Sequence, residues 1–438
     1  MKLNATQIAL ATEGQIHQQG KAGSICTDTR ALQPGDWFLA IVGERFNGHR
    51  FLEEAKKSGI AGCIISESPP ENWTLGCVQV ADTTCALQDL GRYAREQFKG
   101  SLIALTGTAG KTTTRALIAC ALSHSFDVHQ TKGNLNNHLG VPMTLLAVPD
   151  QCSAVVLEMG TSSPGEIQFL AELATPDIRI VLNVGEGHLE ELGGLDGVAV
   201  EKGALIRTAS PSDLVLKNID DPRVRNIPVP NGVRCITWGE SEGATIRMRQ
   251  AHVNPVTMQT NASYDTPEGS VSLTYAVPGT HIAHNGACAL AVAYALGVPS
   301  NTAVKGLQNY APVGMRQRIE TIGDGIVAIN DAYNANPVSM RAALETLSSL
   351  AGRRFTVLGD MLELGENKQA FHTEILNFGL RLHIDQFVLI GPLFESSVGA
   401  MHHCRWFATP EEAAEFLSPI LQSGDTLLFK GSRGSRVE

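Results

Sequence analysis

The chain has 438 residues, 43% of them hydrophobic, and a formal net charge of −10. That length exceeds one ordinary core and predicts two or three domains, while the acidic balance argues against nucleic acid as a main partner. Nine cysteines without a C-x-x-C pair fit reduced thiols. The N-terminus lacks a long apolar leader stretch, and the longest apolar run, Ala287 to Val298, is too short to span a bilayer. A cytoplasmic monomer with no membrane span is therefore expected.

Residues 1–83 carry short β-like runs at Ser24–Thr27, Trp37–Val42 and Cys63–Ile65, punctuated by Pro34-Gly35 and Pro69-Pro70. A helix over Thr84–Phe98 links this block to the next. From Leu102 an apolar run ends in Gly107-Thr108-Ala109-Gly110-Lys111-Thr112-Thr113, and a helix-like pattern follows. This is the layout of a phosphate-binding loop. Small glycines let backbone N–H groups close around phosphate oxygens, and the helix N-terminus adds positive potential. Lys111 can reach the β- and γ-phosphates, and the Thr112 hydroxyl can hold Mg²⁺. The spacing is shorter than the longer motif, because Leu105 stands where its first glycine would be. ATP or GTP use is the starting expectation.

Lys132–Pro142 is dense in amides and glycine. Asn134, Asn136 and Asn137 either contact a polar ligand or build a turn-rich loop. Two further apolar runs, Ala154–Met159 and Ile178–Val184, read as central strands of a parallel sheet. Glu158 and His188 follow these strands on the edge that carries the phosphate loop. A carboxylate there suits Mg²⁺, which prefers oxygen ligands; by spacing alone, His188 reads more readily as a loop histidine. Lys202, in Val198-Ala-Val-Glu-Lys-Gly-Ala204, reads from composition as a solvated surface lysine. The stretch 232–277 predicts a small antiparallel insertion.

Residues 311–438 alternate again, with strands at Ile326–Asp331, Phe355–Asp360, Phe387–Gly391 and Thr426–Gly431. This is the pattern of a Rossmann-like open sheet, which places ligands at the carboxyl ends of its strands. Asn330-Asp-Ala-Tyr-Asn-Ala-Asn-Pro337 offers a second polar cluster at such an end. The fold expected is α/β, with a central P-loop mononucleotide-binding parallel sheet and a C-terminal Rossmann-like sheet.

These segments together resemble the Mur ligases. The resemblance rests on Gly107–Thr113, Gly133–Pro142, Leu157-Glu-Met-Gly160, Asn183–Glu190, Asp331-Ala-Tyr-Asn-Ala-Asn-Pro337, Gly359-Asp-Met-Leu-Glu-Leu-Gly365 and Lys430-Gly-Ser-Arg433. It covers essentially the whole chain in the family order. The D-x-Y-N-A-N-P form points to the member that adds D-alanyl-D-alanine; the D-N-P-R motif of the diaminopimelate-adding member is absent. Asp28-Thr29-Arg30 and the segment with Arg45 and Asn47 look like its nucleotide-sugar contacts.

The resemblance implies three domains: 1–83 for a UDP-sugar, 84–310 for ATP and 311–438 to complete the site. The implied partners are UDP-MurNAc-tripeptide, D-alanyl-D-alanine and ATP as co-substrate, with two Mg²⁺ ions. Gly107, Thr108, Gly110, Lys111, Thr112 and Thr113 would bind ATP, with His281, Asn285, Arg316 and Asp331 on the nucleotide side. Glu158 and His188 would join Thr112 at the metal, with Lys202 as the lysine that the family carbamylates. Lys111, Lys202 and His188 would be the catalytic groups, and Asn334 and Asn336 would join Asn134, Asn136 and Asn137 at the substrate. Ile282 replaces the first Asn of an H-N-x-x-N motif, and Ala204 replaces a common Glu. Another amide ligase, such as folylpolyglutamate synthase, would share the ATP residues but not Asp28-Thr29-Arg30. A nucleotide-switch module would hydrolyse without ligating.

Overall fold

The computed structural model describes residues 1–43, 46–399 and 403–438; the candidate Arg45 lies outside the described residues. The chain divides into two compact units. One comprises Met1–Ala104, Asp127–Gly160 and Gln168–Asp177; the other comprises Leu105–Phe126, Thr161–Ile167 and Ile178–Glu438.

In the first unit, α1 (Ala5–Thr12) opens on a reciprocal cap. The Asn4 side chain accepts from the Gln7 N–H while the Gln7 side chain accepts from the Asn4 N–H. Strands β1 (Gln15–Gln18), β2 (Ile25–Cys26), β3 (Trp37–Leu39), β4 (Gly62–Ile65) and β5 (Gly76–Gln79) form a sheet in the order β1-β5-β4-β3-β2. Only β1 runs antiparallel to its neighbour. Trp37 explains two of its glycines, since a Cβ at Gly62 or Gly76 would stand 2.5 Å from the indole ring. Helix α2 (Leu52–Lys57) precedes β4, and Asp82 caps α3 (Thr83–Gln97) by accepting from the Cys85 N–H. After β6 (Ser101–Thr106) and α4 (Lys111–Leu122), the chain returns with β7 (Val128–Gln130), α5 (Gly140–Leu146) and β8 (Ala154–Glu158). The last strand is parallel to β7 and buried throughout.

Most of α6 (Glu166–Ala174) belongs to the first unit, and the second resumes at Ile178. Its first sheet region contains β9 (Ile178–Val181), β10 (Leu214–Asn218), β11 (Arg234–Gly239), β12 (Ile246–Val253), β13 (Thr260–Thr266) and β14 (Gly269–Tyr275). They lie in the order β14-β13-β12-β11-β10-β9. Strands β9 to β12 pair in parallel, and β12, β13 and β14 pair antiparallel. The expected insertion over 232–277 is thus corrected: β11 continues the parallel run, and the antiparallel part extends the same sheet. Exposure of β11 at its first two residues gives it the half-solvated pattern of an antiparallel strand. Helices α7 (Leu189–Leu192), α8 (Leu195–Arg207), α9 (Pro222–Asn226), α10 (Thr280–Ala295) and α11 (Ser300–Leu307) complete this part.

The second sheet of this unit contains β15 (Arg318–Ile322), β16 (Ile326–Asn330), β17 (Arg354–Gly359), β18 (Gln386–Ile390), β19 (Cys404–Phe407) and β20 (Thr426–Lys430). The order is β15-β16-β20-β17-β18-β19, with only β15 antiparallel. Helices α12 (Pro337–Ser348) and α13 (Lys368–Leu380) flank it, with α14 (Pro392–Glu395) and α15 (Pro410–Leu417). Met340, Leu344 and Leu347 of α12 pack with Leu358, Ile375 and Phe387 in one core cluster. Each such side chain contributes about 1.5–3 kcal/mol of burial. The parallel strands bring Asp331, Asp360, Gly391 and Gly431 to one edge, where a Rossmann-like sheet takes its ligand.

Candidate active site

The phosphate loop belongs to the second unit. Gly110 has φ +81° just before α4 begins at Lys111, a conformation that favours glycine. A Cβ there would also stand 3.3 Å from the Asn285 amide, so the loop and the first turns of α10 meet. Asn183 braces the loop at both ends of one residue: its Oδ1 accepts from the Ala109 N–H at 2.9 Å, and its Nδ2 donates to the Ala109 carbonyl at 3.0 Å. The Gly185 N–H donates to Thr108 Oγ1 at 3.0 Å. Lys111 Nζ donates to the Gly107 carbonyl at 2.8 Å. Thr112 is buried, and the Thr113 hydroxyl bonds Tyr310, whose phenol burial pushes up to about 12.

Lys202 is not a surface lysine. It is 1% exposed, which corrects the reading from composition. Val198, Glu201, Lys202 and Leu205 are all buried on α8, at the i, i+3, i+4, i+7 spacing of an inward face. Burial first, and then the Lys111 charge, push the Lys202 amine well below the ordinary lysine value, against the attraction of Glu201. Glu201 is committed elsewhere: it accepts from the Gly165 N–H and the Ile167 N–H, each at 2.7 Å, and from Thr161 Oγ1 at 3.2 Å.

His188 caps α7 with φ +54°. Its Nδ1 lies 3.0 Å from Glu363 Oε2, on the loop after β17. The His188 side chain holds the Glu363 carboxyl below the usual range. Asn336 Nδ2 comes within 3.8 Å of the position a Cβ on Gly187 would take, so this segment also borders the His188 loop.

At the start of α10, burial pushes the His281 imidazole down, opposed by the Asp331 charge and a side-chain contact with Gln317. Gly279 precedes α10 at φ +120°, and a Cβ there would stand 2.4 Å from the His281 ring. Ile282 is buried and offers no polar contact. The next histidine, His284, is bound instead, its Nε2 2.9 Å from Asp220 Oδ2. The Arg316 guanidinium lies 3.6 Å from the centre of the Tyr333 ring. Asp331 Oδ1 accepts from the Gln317 N–H at 3.2 Å, and its Oδ2 lies 2.5 Å from Lys430 Nζ. Asn334 Oδ1 accepts from the Ala335 N–H, and Asn336 caps α12 by accepting from the Ser339 N–H at 2.9 Å.

In the first unit, Glu158 is buried, and its Oε1 accepts from Asn136 Nδ2 at 2.9 Å. Asn137 shapes the turn, accepting from the Leu139 and Gly140 N–H groups; Asn134 is exposed. Asp28 accepts from the Arg30 backbone N–H and from its guanidinium, at 2.7 Å from Nη2, which holds its carboxyl at about 2. Thr29 begins the short turn that Asp28 caps. Asn47 Oδ1 accepts from the His49 N–H, and its Nδ2 donates to Glu67 Oε1.

The structure therefore joins Gly110 to Asn285, Lys111 to Lys202 by charge, His281 to Asp331, and Glu158 to Asn136. Sequence reasoning did not single out Asn183, Glu201, His284, Glu363 or Lys430 as working side chains. Of these, Asn183, Glu363 and Lys430 lie inside segments that carry the resemblance, and Glu201 shares a helical spacing with Lys202. Among the described residues, no three His, Cys, Asp or Glu side chains cluster as a ready-made metal site. In the second unit the Thr112 hydroxyl, and in the first the Glu158 carboxylate, are oxygen donors of the type a hard cation takes.

A glycine-bearing loop between a strand and a helix, with a lysine opening that helix, defines a P-loop α/β nucleotide-using protein. Residues 105–293 match the Mur ligase middle domain, and residues 317–433 match the Mur ligase, glutamate ligase domain. The chain belongs to the Mur ligase family. It is 34% identical to the UDP-N-acetylmuramoyl-tripeptide–D-alanyl-D-alanine ligase of Bacillus subtilis, over 100% of this chain and 97% of the relative. MurF from Acinetobacter baumannii superposes with a TM-score of 0.91 at 32% identity, covering 100% of this chain and 97% of that one. MurF ligase from Thermotoga maritima, solved in complex with ADP, gives a TM-score of 0.85 at 27% identity, covering 95% of each chain.

Proposed function

We propose that this chain joins D-alanyl-D-alanine to the terminal carboxylate of UDP-MurNAc-tripeptide, with ATP becoming ADP and phosphate, in peptidoglycan precursor synthesis. The substrates are those in the name of the full-length relatives. The chemistry is carried by one observation, the phosphate loop with Lys111 at its helix start and Lys202 buried within its field. Residues 1–83, 84–310 and 311–438 serve as sugar-nucleotide, ATP and acceptor domains in this reading.

A carboxylate is a poor electrophile, and ATP corrects this. A carboxylate oxygen attacks the γ-phosphorus, ADP leaves, and an acyl phosphate forms. The dipeptide amine then attacks the acyl carbon, and phosphate leaves from the tetrahedral intermediate as the amine proton passes to a base. The first step brings two anions together. At ~4 Å, unit charges repel by about 1 kcal/mol in water and about 4 kcal/mol at an effective dielectric near 20. Lys111 and Arg316 oppose that repulsion by placing fixed positive charge at the phosphates. Gly107, Thr108, Gly110 and Thr113 orient ATP, with His281, Asn285 and Asp331 on its nucleoside side. Asp28, Thr29, Arg30, Arg45 and Asn47 hold the sugar nucleotide. Asn134, Asn136, Asn137, Asn334 and Asn336 shape the acceptor side, several of them through the turns and caps described above.

Thr112, Glu158, His188 and Lys202 would hold Mg²⁺, which when bound neutralises phosphate charge. Lys202 suits that role only as an anion. Its buried amine is held toward the neutral form, the form that adds CO₂ to give a carbamate and a proton. Lys202→Ala is expected to lose most ligation, with partial recovery on adding a short carboxylate; full activity would remove this lysine from the site.

The deciding experiment is ADP release with UDP-MurNAc-tripeptide, with and without D-alanyl-D-alanine. Turnover that requires both substrates is expected. Turnover with neither would indicate a nucleotide switch, and use of folate with glutamate a different amide ligase.

A further inference from the structure

Two non-glycine residues with left-handed backbones meet beside the phosphate-loop edge. His188 has φ +54° and Glu363 has φ +63°. Such conformations are uncommon outside glycine, less so for asparagine, aspartate and histidine than for glutamate, and concentrate where the surroundings enforce them. Here they do. The Leu189 N–H donates to the Glu363 carbonyl at 3.2 Å. Before Glu363, the Met361 N–H donates to His372 Nε2 at 2.9 Å, and the Leu362 N–H donates to Ser432 Oγ at 2.9 Å. His372 is fully buried, and its Nδ1 is 2.7 Å from the Lys368 carbonyl. After Glu363, Leu364 is buried in the α12 core. The turn is anchored on both sides and presents Glu363 between its anchors. His188 Nδ1 is shut off from solvent, and Glu363 Oε2 reaches it at 3.0 Å, close in distance but not aligned as a hydrogen bond.

We infer that Glu363 is a positioning residue for His188, holding the imidazole in its Nδ1–H form so that Nε2 is kept as the acceptor. A neutral imidazole has one donor and one acceptor nitrogen, and the partner of one fixes the role of the other. Free histidine favours the opposite tautomer, with the proton on Nε2. The part of the inference that gives His188 work in ligation rests on the function proposed above; the tautomer does not.

The test uses the full chain, nucleotide-free, with ¹⁵N-labelled histidine. Long-range ¹H–¹⁵N correlation reads each ring tautomer, and His188→Gln assigns the signal. The wild type is expected as Nδ1–H. Glu363→Gln keeps an acceptor oxygen and is expected to keep that form, whereas Glu363→Ala shifts the ring toward Nε2–H. In the ADP-release assay, Glu363→Ala is expected to lower kcat about tenfold or more with KM for ATP within about twofold, and Glu363→Gln to recover most of it. An unchanged tautomer in Glu363→Ala overturns the inference, as does a Glu363→Gln variant as slow as the alanine one. Absence of ligation in the wild type, with the tautomer shift intact, would fault the proposed function and leave the positioning role standing.

Discussion

Lys202 and Lys430 are almost equally buried, at 1% and 2% exposure, yet their surroundings treat them oppositely. Lys430 closes β20 against the Asp331 carboxylate at 2.5 Å, with the Asn334 carbonyl at 3.2 Å. Lys202 sits in the repelling field of Lys111, and the neighbouring Glu201 carboxylate is taken up by the 161–167 loop. A neighbouring carboxylate favours the charged form of a buried lysine; desolvation and a like charge disfavour it. Burial alone does not say what a lysine does. The fate of the nearest carboxylate does. One lysine ties down the Asp331 loop, and the other is pushed toward the neutral amine.

The contrast can be broken in several ways. The largest effect is expected from Lys111→Ala, which removes the cation proposed for the phosphates and the charge that repels Lys202. ADP release should fall about 10³-fold, near 4 kcal/mol of transition-state stabilisation, with an unchanged circular dichroism spectrum. Near-normal turnover would take the loop out of the mechanism. Next is Lys430→Met, which strands the Asp331 carboxylate. Urea unfolding should show a loss of about 3 kcal/mol; a loss within error would mean that the two lysines are alike.

Lys202→Met should have the opposite sign. In bicarbonate-free buffer at pH 7 it is expected to stabilise the fold by about 1.5 kcal/mol, the usual sign when a strained functional group is removed. The folded lysine titrates below its unfolded value, so the unfolded chain binds more protons in between. Wild-type stability therefore rises with pH up to the ordinary lysine value near ~10.4, and the gap to the methionine variant should close over that range. A methionine variant less stable than wild type at pH 7 would contradict the contrast. The smallest effect is Asn336→Ala. Loss of the α12 cap should cost about 1 kcal/mol; a tenfold rise in KM for D-alanyl-D-alanine would place the amide on the substrate as well.

What could be read from the residues alone followed distance along the chain. The strand, loop and helix around Gly107–Thr113 are contiguous, so their pattern was visible, as were the main parallel strands of both sheets. Partners far apart were not. Asn183 reaches Ala109, Asp220 reaches His284, and Glu363 reaches His188, and no spacing rule connects such pairs. The asparagine clusters looked like ligand groups because amides are scarce in turns that need only one. In the structure, Asn137 and Asn336 are spent on a turn and a cap, while Asn136 orients Glu158. Lys202 looked solvated from composition because lysine so often is; the family resemblance contradicted that, as does the helical spacing shared with Val198, Glu201 and Leu205.

That spacing has an evolutionary consequence. Glu201 and Lys202 are consecutive on α8, so about 100° of helix rotation separates the residue that anchors the 161–167 loop from the residue pushed toward the neutral amine. Substitutions elsewhere on α8 leave that angle alone. Insertion or deletion of one residue upstream in the helix turns both side chains away from their places at once. A one-residue insertion or deletion between Gly194 and Glu201 is therefore expected to disturb both places, whereas substitution of exposed positions on α8 is not.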